Sequence, residues 1–124
     1  MREVARILIV DDTLFMRTVL RTIVTDEGHE VTGEAEDGYQ GVYEYVNNRP
    51  DLILLDILMP KMDGIMTLKT LMGYDPLVKV IMVSAIQSTK MIKLAISCGA
   101  KGYILKPFQR PQLIQEITRV LNEG

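Results

Sequence analysis

Three aspartates follow two aliphatic segments of the sequence, where charged residues are not expected. Asp11 and Asp12 come directly after Arg6–Val10, and Asp56 closes the segment "LILLD". Aliphatic segments of this kind are typical of buried strands, and burial of an unpaired carboxylate is costly. Carboxylates that meet in a fold can hold a hard divalent cation such as Mg²⁺, and an aspartate can also act as a nucleophile toward phosphorus.

Two further polar residues follow aliphatic segments in the second half of the chain. Ser84 ends "VIMVS", and Lys106 follows "GYIL". A hydroxyl and an ammonium group beside an acidic cation site suit phosphoryl transfer, which depends mainly on positioning and charge neutralisation. Each residue taken alone has a simpler interpretation: Asp and Ser often cap helices, and a lysine before proline is usually a solvated loop residue.

The spacing of apolar residues predicts the elements that would position these side chains. The predicted strands are Arg6–Val10, Glu30–Ala35, Leu52–Asp56, Val80–Ser84 and Gly102–Leu105. The predicted helices are Leu14–Asp26, Gly38–Asn48, Gly64–Met72, Ser88–Cys98 and Pro111–Leu121. The first helix has apolar residues close to helical spacing at Leu14, Phe15, Val19, Ile23 and Val24, and on the second helix Val42, Tyr45 and Val46 are expected to face inward.

Strands that alternate with helices indicate an α/β fold with a parallel sheet covered on both faces. Right-handed crossovers then place every strand-to-helix loop at the carboxyl edge of the sheet. In the strand order 2-1-3-4-5, the first and third strands are neighbours and the order reverses between them. Asp11, Asp12 and Asp56 would then converge in the crevice where such sheets bind ligands.

Composition limits the classes of protein that the chain can belong to. Its 124 residues, of which 48% are hydrophobic, predict one folded domain over residues 1–124. A formal net charge of -2 argues against a nucleic-acid partner. No apolar run approaches the roughly 18 residues of a membrane span, and acidic residues come too early for a signal peptide. With one cysteine, Cys98, a cytoplasmic location is expected.

The only histidine and the fourth helix bear on partners. His29 falls in a helix-to-strand loop, at the edge opposite the aspartates, so any phosphohistidine donor must come from another protein. The apolar residues of the fourth helix spread over roughly 200° of arc, whereas covering a sheet needs about 100°. The excess predicts a partner-binding face, with a partly overlapped helix end as the alternative. The residues concerned are Met91, Ile92, Leu94, Ala95, Ile96 and Cys98.

Four segments, "ILIVDDT", "LILLDILMPKMDG", "VSA" and "GYILKPF", together resemble the receiver domain of two-component response regulators. The resemblance spans essentially the whole chain. "DDTLFMR", "GEAEDG" and "GAKGYILKPFQ" are most similar to stand-alone chemotaxis regulators of the CheY type. The resemblance implies a single-domain (βα)5 doubly wound parallel sheet with the flavodoxin-like strand order 2-1-3-4-5.

The resemblance also implies roles for the polar residues at the carboxyl edge. Asp56 would be the phosphoacceptor, and Asp11, Asp12 and Asp56 would hold Mg²⁺. The backbone carbonyl of Leu58, two residues after the acceptor, would be a further ligand. Lys106 would pair with the phosphoryl group.

Further residues would transmit the signal or shape the site. Ser84 would bind a phosphoryl oxygen, and Tyr103 would be the switch aromatic that turns inward when Ser84 moves. Pro107 would follow a cis peptide bond that aims Lys106. Gly64 would permit a tight turn after the phosphoacceptor.

The function implied is that of a signalling switch, which catalyses its own Mg²⁺-dependent phosphorylation and dephosphorylation but is no conventional enzyme. Its partners would be a histidine kinase, a flagellar motor switch protein and a phosphatase, and we expect a monomer that binds neither nucleic acid nor membrane. Three alternatives stay open: a phosphorelay intermediate, a receiver excised from a transcription factor, and a metal-dependent phosphatase or hydrolase.

Two apolar residues suggest how long the phosphoryl group would last. Leu58 and Ile86 lie two residues after Asp56 and Ser84, and in receiver domains both positions flank the phosphoryl group. Neither side chain can orient a water by hydrogen bonding, and both can obstruct one. We therefore expect slow loss of the phosphoryl group.

Overall fold

Five parallel strands and five helices alternate along the chain in the computed structural model, which describes residues 4–123. The strands are β1 (Arg6–Val10), β2 (Glu30–Ala35), β3 (Leu52–Leu55), β4 (Val80–Ser84) and β5 (Gly102–Leu105). The helices are α1 (Leu14–Asp26), α2 (Gly38–Asn48), α3 (Gly64–Tyr74), α4 (Thr89–Ser97) and α5 (Arg110–Asn122). The expected α/β fold is confirmed.

The strands form one sheet in the order β2-β1-β3-β4-β5, so the predicted order is also confirmed. Val10, the last residue of β1, pairs with Ala35 of β2 and with Leu55 of β3. Asp11 and Asp56 directly follow these paired residues, and the backbone N–H of Asp56 donates to the carbonyl of Val10 at 3.0 Å. The register therefore places the two aspartates side by side at the carboxyl edge.

Each face of the sheet is covered by a separate apolar cluster, which explains why the strands are aliphatic at consecutive positions. Alternate residues of β1 divide between the clusters: Ile7 and Ile9 face one, and Leu8 and Val10 face the other. The first cluster is closed by α1 and α5, and the second by α2, α3 and α4. None of the helices in residues 4–123 combines the length and hydropathy needed to cross a membrane.

Several predicted boundaries differ from the structure by one or two residues. β3 ends at Leu55, which leaves Asp56 in the following loop, and α3 continues to Tyr74. Ser88 and Cys98, predicted as the ends of the fourth helix, are the capping residues of α4. α5 gains one residue at each end. These shifts are small because frayed helix ends and caps are poorly marked by hydrophobic spacing.

The prediction that Val46 faces inward was wrong, since the residue is 41% exposed. Two apolar residues of α1, Leu14 and Phe15, are also exposed, at 67% and 74%. Leu14 and Phe15 lie in the first turn of α1, whereas the buried residues of this helix lie further along it. On α2, the buried face is formed by Gly38, Gly41 and Tyr45. That stripe turns Val46 toward solvent.

Candidate functional site

The three aspartates that follow β1 and β3 form an acidic cluster at the carboxyl edge. One carboxylate oxygen from each of Asp11, Asp12 and Asp56 lies within 4.8 Å of the others. Asp11 and Asp56 are buried, with 1% and 6% of their surface exposed, whereas Asp12 is exposed. The structure thus brings together all three residues that the sequence predicted to converge.

Other residues cap the helices that follow, so the simpler interpretation of the aspartates is wrong. Thr13 caps α1, because its hydroxyl accepts the backbone N–H of Met16. Asp63 caps α3 in the same way, and Ser88 caps α4. Asp56 and Ser84, both buried, are therefore not needed as helix caps.

Lys106 bridges the two buried aspartates. Its Nζ donates to Asp11 Oδ2 at 2.7 Å and to Asp56 Oδ2 at 3.1 Å, and its side chain is only 16% exposed. The peptide bond to Pro107 is cis, as the resemblance implied. The backbone N–H of Lys106 donates to the carbonyl of Ser84 at 2.9 Å, which anchors the start of this loop beside β4.

Burial and neighbouring charges shift the pKa values of this pair. Burial raises the pKa of Asp56, the ammonium group of Lys106 lowers it, and the negative charge of Asp11 raises it again, with a net upward shift. Burial alone would lower the pKa of Lys106, but its bonds and charge interactions with Asp11 and Asp56 outweigh this and raise it. Lys106 is thus firmly held as a cation, and its charge compensates only part of the cost of burying Asp56 beside Asp11.

Ser84 and Tyr103 meet at the backbone of Ile86. Ser84 is fully buried, and its Oγ accepts the N–H of Ile86 at 3.2 Å. The hydroxyl of Tyr103 donates to the carbonyl of Ile86 at 2.6 Å, and its ring packs against the core cluster. Burial raises the pKa of Tyr103, hydrogen bonding with Ser84 lowers it, and the charge of Asp56 raises it. A movement of this loop would therefore reach both side chains.

The loop after Asp56 differs from expectation in the role of Gly64. The left-handed residue of this loop is Lys61, with φ 68°, so Gly64 does not supply the turn. A Cβ at Gly64 would instead collide with the carbonyl oxygen of Asp56 and with Cα of Ile57. Absence of a side chain lets α3 begin directly against the acceptor's backbone. Leu58, in the same loop, is 60% exposed.

One residue that the sequence analysis did not single out, Arg17, also contacts the site. Arg17 of α1 donates from Nη1 to the carbonyl of Asp11 at 2.8 Å, a contact that the sequence analysis missed. Helical spacing marks Arg17 only as a polar position, and its partner on β2, Glu34, lies seventeen residues away.

His29 lies before β2 at the edge opposite the aspartates, as predicted, and its Nδ1 accepts the N–H of Ala5 at 3.1 Å.

The donor set of the acidic cluster fits Mg²⁺. Three carboxylates face one ammonium group, so the cluster carries an excess of negative charge. Its ligand atoms are hard oxygens, and Mg²⁺ typically takes one or two carboxylates together with waters and phosphate oxygens. One exposed carboxylate, that of Asp12, leaves the cluster open to solvent on one side.

Comparison with known proteins agrees with this arrangement. Residues 7–118 match the response regulator receiver domain. The chain is 45% identical over 117 residues to chemotaxis protein CheY of Bacillus subtilis (strain 168), covering 94% of this chain and 98% of that protein. It is 44% identical over 115 residues to chemotaxis protein CheY of Thermotoga maritima, covering 93% and 96% respectively.

A solved structure supports the same assignment. The crystal structure of the CheX-CheY-BeF3-Mg+2 complex from Borrelia burgdorferi contains a chain that superimposes with a TM-score of 0.93 at 38% identity. The match covers 95% of this chain and 90% of that one. From its sequence and its fold together, the chain belongs to the response regulator receiver domain family.

Proposed function

We propose that this protein is a phosphorylation-activated signalling switch of a two-component chemotaxis system, with Asp56 as its phosphoacceptor. The proposal rests above all on the meeting of Asp11, Asp12 and Asp56, with the ammonium group of Lys106 bound to two of them. Several relatives that match over nearly their whole length are chemotaxis proteins, which favours chemotaxis over other two-component pathways.

In the proposed reaction, a carboxylate oxygen of Asp56 attacks the phosphorus of a phosphohistidine on a histidine kinase. A phosphorus–oxygen bond forms, the phosphorus–nitrogen bond breaks, and the imidazole nitrogen keeps the electron pair. Asp11, Asp12, Asp56 and the carbonyl of Leu58 would hold Mg²⁺, which when bound offsets negative charge on the phosphoryl oxygens. Lys106 lies 3.1 Å from Asp56 Oδ2 and could transfer a hydrogen bond to the phosphoryl group without a large movement.

The signal would leave the site through Ser84 and Tyr103. To bind a phosphoryl oxygen on Asp56, the hydroxyl of Ser84 would give up the N–H of Ile86 as its partner. Because Tyr103 is held by the carbonyl of that same residue, the change would shift the population of Tyr103 conformers. The helix that follows this loop, α4, exposes 41% of Leu94 and 47% of Ile96.

These exposed apolar residues support a binding face formed by α4, β5 and α5. A flagellar motor switch protein is the partner that we propose for it. A phosphatase is a further proposed partner, since the Borrelia burgdorferi relative was solved in a complex with CheX. We also propose that residues 1–124 act as one receiver domain, as a cytoplasmic monomer.

The proposal is tested by phosphorylation with acetyl phosphate in the presence of Mg²⁺, read by intact-protein mass spectrometry. The native protein should gain one phosphoryl group, and neither the Asp56→Asn variant nor native protein in excess EDTA should gain any. The Asp51→Asn variant, which removes an exposed aspartate at the other edge of the sheet, serves as the control and should be phosphorylated normally. Full phosphorylation of Asp56→Asn would refute the assigned acceptor.

A further inference from the structure

Arg17 is tied to the backbone of the acidic cluster, a contact to which the proposed mechanism assigns no role. Its Nη1 donates to the carbonyl of Asp11 at 2.8 Å, and its side chain is 13% exposed. That carbonyl belongs to the peptide bond that leads from Asp11 to Asp12. The guanidinium group therefore holds the peptide plane between two residues of the cluster.

Glu34 of β2 holds the guanidinium group in place. The Nε of Arg17 donates to Glu34 Oε1 at 3.0 Å, while Arg21, one helical turn later, donates to Glu34 Oε2 at 2.7 Å. β2 is paired with β1, and Glu34 lies opposite Ile9. The carboxylate of Glu34 is shared by Arg17 and Arg21, so it offsets only part of their positive charge. Its main effect is to fix the guanidinium group of Arg17 against the carbonyl of Asp11.

The other polar groups of Asp11 are also fixed. Its N–H donates to the carbonyl of Ala35 at 3.0 Å, its Oδ1 accepts the N–H of Thr13 at 2.9 Å, and its Oδ2 accepts from Lys106. The bond from Arg17 completes this set. Asp12 is exposed, so its side chain is not held by surrounding packing. The orientation of its carboxylate therefore depends on the peptide bond that precedes it.

We infer that Arg17 is a positioning residue for cation binding: by holding the carbonyl of Asp11, it fixes the geometry in which Asp12 reaches the cation. The inference rests on the proposed function, since it takes the acidic cluster to be the Mg²⁺ site. Arg17 itself touches neither the cation nor the phosphoryl group. Its loss should weaken Mg²⁺ binding even where the fold is retained.

The test compares two variants, Arg17→Met and Arg21→Met. Both remove one of the arginines bound to Glu34, but only Arg17→Met removes the contact with Asp11. Titration calorimetry with MgCl₂ should give a dissociation constant about five- to tenfold higher for Arg17→Met, the size of one ordinary hydrogen bond, because the contact acts on the cation only through Asp12. For Arg21→Met the constant should stay within about twofold of native.

Thermal melts in EDTA separate positioning from general stability. A merely structural role would lower the melting temperature of Arg17→Met and leave its Mg²⁺ affinity equal to that of Arg21→Met, and this result would overturn the inference. If Arg17→Met does not fold, Glu34→Gln decides, since it weakens the hold on Arg17 and keeps an amide oxygen as acceptor. That variant should bind Mg²⁺ about two- to threefold more weakly, and native affinity would count against the inference.

Asp12→Asn shows which of the two proposals has failed. If Asp12→Asn binds Mg²⁺ as tightly as the native protein, the cation site itself is misplaced and both proposals are wrong. If Asp12→Asn binds weakly but Arg17→Met behaves like Arg21→Met, only the role of Arg17 is refuted. Weak binding by both Asp12→Asn and Arg17→Met supports the two proposals together.

Discussion

The two edges of the sheet carry the same kinds of charged residue and use them differently. At the carboxyl edge, Lys106 donates to the carboxylates of Asp11 and Asp56. At the amino edge, Lys79 donates to two backbone carbonyls at the end of α5, at 3.2 and 2.6 Å. One lysine therefore sits between negatively charged side chains, and the other completes the hydrogen bonding of a helix terminus.

The aspartates differ in the same way. Asp51 precedes β3 and is exposed, and its Oδ2 accepts the backbone N–H of Arg6 at 2.8 Å. Asp56 follows the same strand and is 6% exposed among other charged groups. Burying a carboxylate near a like charge lowers stability and shifts the pKa of the carboxylate, and such shifted groups are typical of functional sites. The amino edge therefore provides matched controls for the carboxyl edge.

The largest difference in stability is expected between the two ends of α3. Gly64→Ala should lower the free energy of unfolding by about 3 kcal/mol, since the new Cβ would collide with backbone atoms of Asp56 and Ile57. Gly73→Ala, near the other end of the helix and with nothing within 4 Å of its Cβ, should raise it by about 0.5–1 kcal/mol. Urea denaturation measures both values. A loss from Gly64→Ala no greater than a few tenths of a kcal/mol would contradict the close approach.

The two lysines, Lys106 and Lys79, should also differ in how much each contributes to the free energy of unfolding. Lys106→Met leaves two buried carboxylates without their cation and should cost about 2–3 kcal/mol in EDTA at neutral pH. Lys79→Met exposes carbonyls that water can reach, one of them on an exposed residue, and should cost about 1 kcal/mol or less. Denaturant titrations of both variants test this difference. Equal losses would mean that the bridge from Lys106 adds nothing beyond an ordinary hydrogen bond.

The rim of the site offers a kinetic test. Leu58 is exposed and Ile86 is partly buried, and neither can orient a water toward a phosphoryl group on Asp56. The double variant Leu58→Asn with Ile86→Glu should shorten the lifetime of the acyl phosphate about five- to tenfold. The lifetime is followed by mass spectrometry after removal of the phosphodonor in Mg²⁺. The same lifetime in variant and native protein would show that these side chains do not limit hydrolysis.

Aliphatic runs predicted most of the fold, because strands that are buried on both faces consist of consecutive apolar residues. The composition of the strands does not determine their order in the sheet, which was predicted from the resemblance. The proximity of Asp11 and Asp56 depends on that order. Hydrophobic spacing placed Phe15 on a helix but could not show that its side chain is exposed. Arg17 was missed and Gly64 was misread because each contacts the backbone of the loop that precedes its helix, and hydrophobic spacing does not reveal such contacts.

The smallest expected effect concerns the charge on Asp56 itself. A carboxyl group whose pKa is raised by folding binds its proton more tightly in the folded state, so the free energy of unfolding falls as pH rises through the raised pKa. Above that pH the folded protein bears the full cost of the buried charge. In EDTA, Asp56→Asn should therefore be more stable than the native protein at neutral pH. The difference should shrink as the pH falls toward the ordinary aspartate pKa of about 3.9.

Asp51→Asn controls for the simple loss of one negative charge, because its amide oxygen can still accept the N–H of Arg6. Urea denaturation at a series of values between about pH 4 and pH 8 measures all three proteins. Asp51→Asn should lack the gain at neutral pH that Asp56→Asn shows. If Asp56→Asn were less stable than native across the whole series, the bond to Lys106 would outweigh the cost of burial. The Asp56 carboxylate would then stabilise the folded protein, and only Lys106 would distinguish the carboxyl edge from the amino edge.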